Sequence, residues 1–169
     1  MRADAEYPIY LKLAGFSAAT HYALPIFFLI PAAVALYARL THHFVPDRME
    51  VMYTICLVTL PSAALAALYQ RRALRFRRFA TSSDNNDNYT RVMKTMHQAG
   101  WHIRLHNVNS QIVAAVPGVV TWGTRVEVRF WGSEVLANSI CDPEKWPSAA
   151  GWGENADNMK LIRQAVSNI

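Results

Sequence analysis

Two stretches of this chain, residues 13–38 and 51–70, contain no acidic or basic side chain apart from the neutral His21. No other feature limits the available folds as strongly. About 20 helical residues rising ~1.5 Å each cross the ~30 Å hydrocarbon core of a bilayer. The second stretch, VMYTICLVTLPSAALAALYQ, has that length. The first is longer than one span needs, so residues 11–20 are expected along the membrane interface, or the helix tilts. Tyr7, Tyr10, Tyr22, Tyr37, Tyr53 and Tyr69 fall near the ends of the runs, where interfacial aromatics gather. A cleaved signal peptide fits the first run less well, because the apolar stretch is too long and a second run follows it closely.

Pro25, Pro31 and Pro61 lie within the runs. Membrane helices tolerate proline where neighbours satisfy the freed carbonyls, so kinks rather than breaks are expected. The connecting stretch RLTHHFVPDRME is short and implies a tight helical hairpin. Ser62 with Ala66, Ala63 with Ala67 and Gly15 with Ala19 have the small-xxx-small spacing that lets helix backbones approach.

The second run ends in RRALRFRRFA, which carries Arg71, Arg72, Arg75, Arg77 and Arg78. Short flanks rich in Lys and Arg stay on the cytoplasmic side. The expected location is therefore a bacterial-type inner (plasma) membrane, with both termini and residues 71–169 in the cytoplasm. The five arginines are expected to meet anionic lipid headgroups, at roughly 1 kcal/mol each.

Charge distribution argues against a nucleic-acid partner. Residues 1–79 hold nine basic and four acidic side chains, whereas residues 80–169 hold eight of each. The excess of positive charge thus belongs to the membrane flank, and the rest lacks a basic footprint.

The expected organisation is a two-pass hairpin with its basic flank (1–79), a polar linker (80–87) and a cytoplasmic α+β domain (88–169). Within the domain, DNYTRVMKTMHQAG has an apolar stripe of Val92, Met93 and Met96, with Asp87 or Asn88 as cap and Gly100 as stop. WHIRLHNV alternates, which predicts Trp101, Ile103 and Leu105 on one face and His102, Arg104 and His106 on the other. NVNSQ reads as a turn and QIVAAVP as the returning strand. TRVEVRFW predicts Val126, Val128 and Phe130 inward and Arg125, Glu127 and Arg129 in water. Trp131-Gly132-Ser133 turns into EVLANSI, a fourth strand. A final helix over about 156–166 carries Met159, Ile162 and Val166, with Asn155 or Asp157 near its start. The order α-β-β-β(-β)-α predicts an antiparallel sheet with two helices on one face. The uncovered face is then the place to look for function.

All five tryptophans, at 101, 122, 131, 146 and 152, fall in this domain. Trp101 reads as core. Trp122, Trp131 and Trp152, with Arg125 and Arg129, are the candidate partner-binding surface. His102 and His106 are ~13 Å apart along a strand, too far to share a metal, and His42 and His43 lack ligand spacing. Cys56 and Cys141 cannot pair and suit a reducing compartment. No phosphate loop, nucleophile elbow or zinc ligand set is present. No catalytic residue, metal or cofactor is therefore expected. The leading expectation is a membrane-anchored module that binds a protein partner, as an accessory subunit, assembly factor or immunity-type protein does. The alternative is a lipid- or ligand-sensing effector acting by homo-oligomerisation, with a membrane enzyme third.

Overall fold

The fold is described from a computed structural model, for residues 9–41, 49–118, 123–145 and 153–167. A short helix α1 (Gly15–His21) leads through Tyr22 into α2 (Ala23–Leu40), and α3 (Met49–Ala73) returns against it. Pro31 and Pro61 sit inside continuous helices, and Pro25 occupies the first turn of α2, where a missing N–H costs no helical bond. Both helices are long and apolar enough to cross a membrane. Only 11% of each apolar window is buried within the fold, so Phe27, Val34, Leu57 and Leu65 face outward.

The hairpin seam uses small side chains. Ala35 and Ala63 are buried, and Ala67 is half-buried one turn beyond Ala63. Gly15 has a different role from helix packing. It opens α1 at φ +56°, a left-handed conformation that side chains rarely adopt.

Past α3 comes β1 (Arg77–Ala80), then α4 (Asn85–Gln98), β2 (His102–Asn107), β3 (Gln111–Val116), β4 (Thr124–Trp131), β5 (Glu134–Cys141) and α5 (Glu154–Ser167). The sheet is wholly antiparallel, in the order β1-β5-β4-β3-β2. The meander expected from the sequence is present. To it the basic flank adds a strand, as Arg77 to Ala80 pair with Ala137 to Glu134.

α4 starts one turn earlier than its sequence pattern implies. Asp84 is the cap, accepting from the Asp87 amide at 2.8 Å. Its end is a Schellman motif: Trp101 N bonds Met96 O, Gly100 N bonds His97 O, and Gly100 lies at φ +71°. That reversal drives the Trp101 ring, 6% exposed, into the core.

α4 and α5 cover one sheet face. Val92 and Met96 from α4 and Met159, Ile162 and Val166 from α5 close over Ile112, Ala114, Val126, Val128, Phe130, Val135 and Ala137. Burial of each large aliphatic side chain contributes about 1.5–3 kcal/mol.

The second face departs from expectation. It is partly covered by the root of the hairpin, where Leu11, Leu74 and Phe76 pack on Leu136 and Ile140 with Leu13, Tyr22 and Ala73 around them. Glu127, expected in water, is 2% exposed on this face. Strand β2 differs too, because a bulge between Ile103 and Leu105 resets its alternation. Ile103 keeps to the core side, whereas Leu105 shifts to the second face and is 48% exposed. His102 and His106 consequently lie on opposite faces, and the His106 ring meets the Tyr89 hydroxyl at 3.1 Å.

Candidate functional site

The arginine-rich segment is held in place by the way α3 ends. Leu74 N reaches back to the carbonyls of Gln70 and Arg71, and the chain then turns into β1. Two terminal carbonyls, those of Ala73 and Arg75, would be left without helical partners. Asn138, 2% exposed on β5, donates to both through Nδ2, at 2.7 and 2.9 Å.

On the other side, residues 9–11 run beside the turn, with Leu11 N on Leu74 O at 2.8 Å and Phe76 N on Ile9 O at 3.0 Å. His21, which precedes the first span, donates from Nε2 to the Gln70 carbonyl at 3.1 Å. Burial lowers its pKa, against the opposing influence of that hydrogen bond. The end of α3 is thereby tied to the sheet and to the N-terminal segment.

This fastening creates a cleft of about 680 Å³ between the root of the hairpin and the sheet. α3 and the turn into β1 contribute Tyr69, Arg72, Ala73, Arg75 and Arg77; β5 contributes Ala137, Asn138 and Ser139; Gly153 and the start of α5 contribute Asn155, Ala156 and Met159. Among the described residues no acidic side chain lines it. Arg72, Arg75 and Arg77 are exposed, and none of the three makes a salt bridge among the described residues. The adjacent first turn of α5 carries Glu154 and Asp157, whose carboxylates offset the positive end of its helix dipole.

Opposite the cations is a neutral polar array. Ser139 Oγ donates to Asn155 Oδ1 at 2.9 Å, and Asn158 Nδ2 reaches both Thr124 Oγ1 at 2.7 Å and Ser139 Oγ at 3.2 Å. Asn138 Oδ1 is buried with no hydrogen-bond partner among the described residues. Three guanidiniums without a salt bridge among the described residues thus stand beside amides and a hydroxyl, and guanidinium forks match phosphate and carboxylate geometry.

Of the five arginines expected at headgroup level, three therefore converge on the cleft. Arg71 instead lies over the Tyr10 ring at 5.8 Å, and Arg78 is on β1 opposite Leu136. Asn138, Ser139 and Asn155 were not legible as site residues. Their signal was two polar residues, Asn138 and Ser139, inside the otherwise apolar run VLANSI.

The candidate partner surface is organised differently. Arg125 and Arg129 both turn to Glu127, at 3.5 and 2.7 Å, and Gln111 Nε2 donates to the same carboxylate at 2.8 Å. Arg104 clamps Asp142 at 2.7 Å and Glu144 at 2.9 Å, and Arg125 approaches Glu144 at 3.9 Å. Alternating charges thus run across the second face. Arg129 also lies over the Phe76 ring at 5.3 Å, which links this ladder to the hairpin root.

Trp131 is 37% exposed at the β4–β5 turn, while Trp122 and Trp152 lie outside the described residues, as do His42 and His43. No group of three His, Cys, Asp or Glu side chains suited to a metal occurs among the described residues. Cys56 is half-buried in α3 and Cys141 buried in β5, and the two do not pair with each other.

Comparison of the chain with protein-family models, curated proteins and solved structures finds no match.

Proposed function

We propose that this chain is a two-pass membrane protein whose α+β domain rests on the cytoplasmic surface and binds an anionic, phosphate-bearing ligand where the hairpin meets the sheet. The observation that carries this reading is the convergence of Arg72, Arg75 and Arg77 on one cleft that has no carboxylate among its described lining residues. Membrane insertion is supported by the outward-facing apolar surface of α2 and α3, since a core helix of a soluble protein would be mostly buried. At 25 residues α3 is ~37 Å long, more than the ~30 Å hydrocarbon core, so its last turns reach headgroup depth. The role proposed for the cleft is binding and sensing.

The test is ligand binding by the full chain in mild detergent, comparing wild type with the triple substitution R72Q/R75Q/R77Q. At roughly 1 kcal/mol per arginine, affinity for anionic lipid should fall about 100-fold or more. Binding unchanged by the triple substitution would refute the cleft as the site.

A second reading, a docking surface for a protein partner, is supported by one further observation. Phe130 N bonds Ser110 O at 3.0 Å, which brings the β2–β3 turn, with Val108 66% exposed, beside the Trp131 end of β4. This apolar patch lies apart from the arginine cleft.

A further inference from the structure

The cleft is more selective than an anion trap needs to be. Resting on the anion-binding reading above, we infer that its ligand is the phosphate ester of a polyol, such as a glycerol phosphate headgroup, rather than that of an amino alcohol. Three features of the lining point there. The cations lie on the hairpin side, where Arg72, Arg75 and Arg77 suit the phosphate. The sheet and α5 present neutral groups, Asn138, Ser139 and Asn155, that suit hydroxyls.

The second feature is the orphaned acceptor. Asn138 uses Nδ2 on two backbone carbonyls, which fixes its amide and leaves Oδ1 as a buried acceptor unmatched among the described residues. A buried polar atom in a native fold calls for a partner, and a shift of the lining that opened Oδ1 to the cleft would let a ligand hydroxyl supply the missing donor. Asn155 accepts from Ser139 through Oδ1, so its Nδ2 is oriented by that bond and can donate to a ligand oxygen.

The third feature is what the lining lacks. A choline, ethanolamine or serine headgroup brings an ammonium, which needs a carboxylate or an aromatic cage. Among the described residues the cleft is lined by no acidic side chain and by one aromatic, Tyr69, beside three arginines, with Glu154 and Asp157 of the first turn of α5 outside that lining. An ammonium there would meet like charge, whereas glycerol or inositol hydroxyls would meet amides and a hydroxyl. The volume, about 680 Å³, exceeds what a phosphate group alone would occupy and leaves room for the alcohol.

The same chemistry reaches the cleft either as a lipid headgroup or as a soluble polyol phosphate. The test is native mass spectrometry of the full chain in detergent, titrated with phosphatidylglycerol, phosphatidylserine or phosphatidylcholine, and with glycerol 3-phosphate as competitor. Phosphatidylglycerol and phosphatidylserine carry the same net charge, so their ratio reads out the alcohol. The expected result is at least a tenfold preference for phosphatidylglycerol, reduced towards parity in Asn155→Ala. Displacement of lipid by millimolar glycerol 3-phosphate, or binding of glycerol 3-phosphate alone, would support the same chemistry and assign the soluble source.

Equal binding of phosphatidylglycerol and phosphatidylserine, both lost in R72Q/R75Q/R77Q, would overturn the polyol inference and leave the anion site standing. Failure of every anionic probe to bind would overturn both. The wild-type lipid ratio alone decides the point, so the outcome does not depend on any variant folding.

Discussion

Glu127 is a carboxylate 2% exposed between two arginines and a glutamine amide, and it shows how a single residue can belong to the fold while looking like surface. Removing one member of a buried ion pair costs about 3–5 kcal/mol, because the remaining charge is left unpaired. Arg125 and Arg129 keep 19% and 30% of their side-chain surface in water, so hydration offsets part of that loss. Glu127→Ala should accordingly destabilise the protein by about 2–3 kcal/mol, which for a chain of this size lowers Tm by several degrees, ~2–4 °C per kcal/mol. Thermal unfolding of the full chain in mild detergent measures it, and a shift below one degree would mean the ladder is only a surface ornament. The burial of Glu127 could not be read from TRVEVRFW. Alternation gives the face of a residue, and only the packing of Leu11, Leu74 and Phe76 from more than 50 residues away determines that this face is partly closed.

Among the elements, α4 illustrates how much local chemistry settles and where it errs by a turn. Its apolar stripe is legible, yet Asp84 rather than Asp87 or Asn88 caps it, because Asn88 is fully buried and its Nδ2 donates to Ser83 O. Asp84→Ala removes the oxygen that accepts the Asp87 amide and should cost about 1 kcal/mol. Gly100→Val should cost more than that, since a β-branched side chain is forced to φ +71° at the reversal that places Trp101. Chemical denaturation followed by Trp fluorescence compares the two, and a Gly100→Val variant as stable as wild type would show that the Schellman turn does not position the core tryptophan. Strand β2 marks the opposite case. Its alternation looked regular over eight residues, but the bulge at Arg104, whose guanidinium reaches Asp142 and Glu144, inverted everything after it. Period-2 reasoning cannot detect one inserted residue when both faces carry mixed polarity.

At the scale of the whole molecule, the hairpin and the α+β domain meet through side chains, strand pairing and helix-end capping rather than through a free linker. Arg77 to Ala80 extend the sheet, Asn138 holds the end of α3, and residues 9–11 join the same junction. The charge asymmetry visible in the sequence and this junction support the same geometry: the N-terminal segment and the domain lie at one end of the hairpin, with the α2–α3 connection at the other. What the sequence could not disclose is that the arginines serve the fold and the cleft together, since that depends on where β5 delivers Asn138 and Ser139. The proposed orientation places that junction in the cytoplasm and the connection outside. In a background with Cys56 and Cys141 replaced by alanine, a cysteine at His43 should react with a membrane-impermeant thiol reagent in intact cells. A cysteine at Lys94, on α4, should react only after permeabilisation. The reverse pattern would invert the protein, exchange the leaflet that the cleft faces, and require a ligand from the outer side. Labelling of both sites in intact cells would mean that the two apolar helices do not form a spanning hairpin.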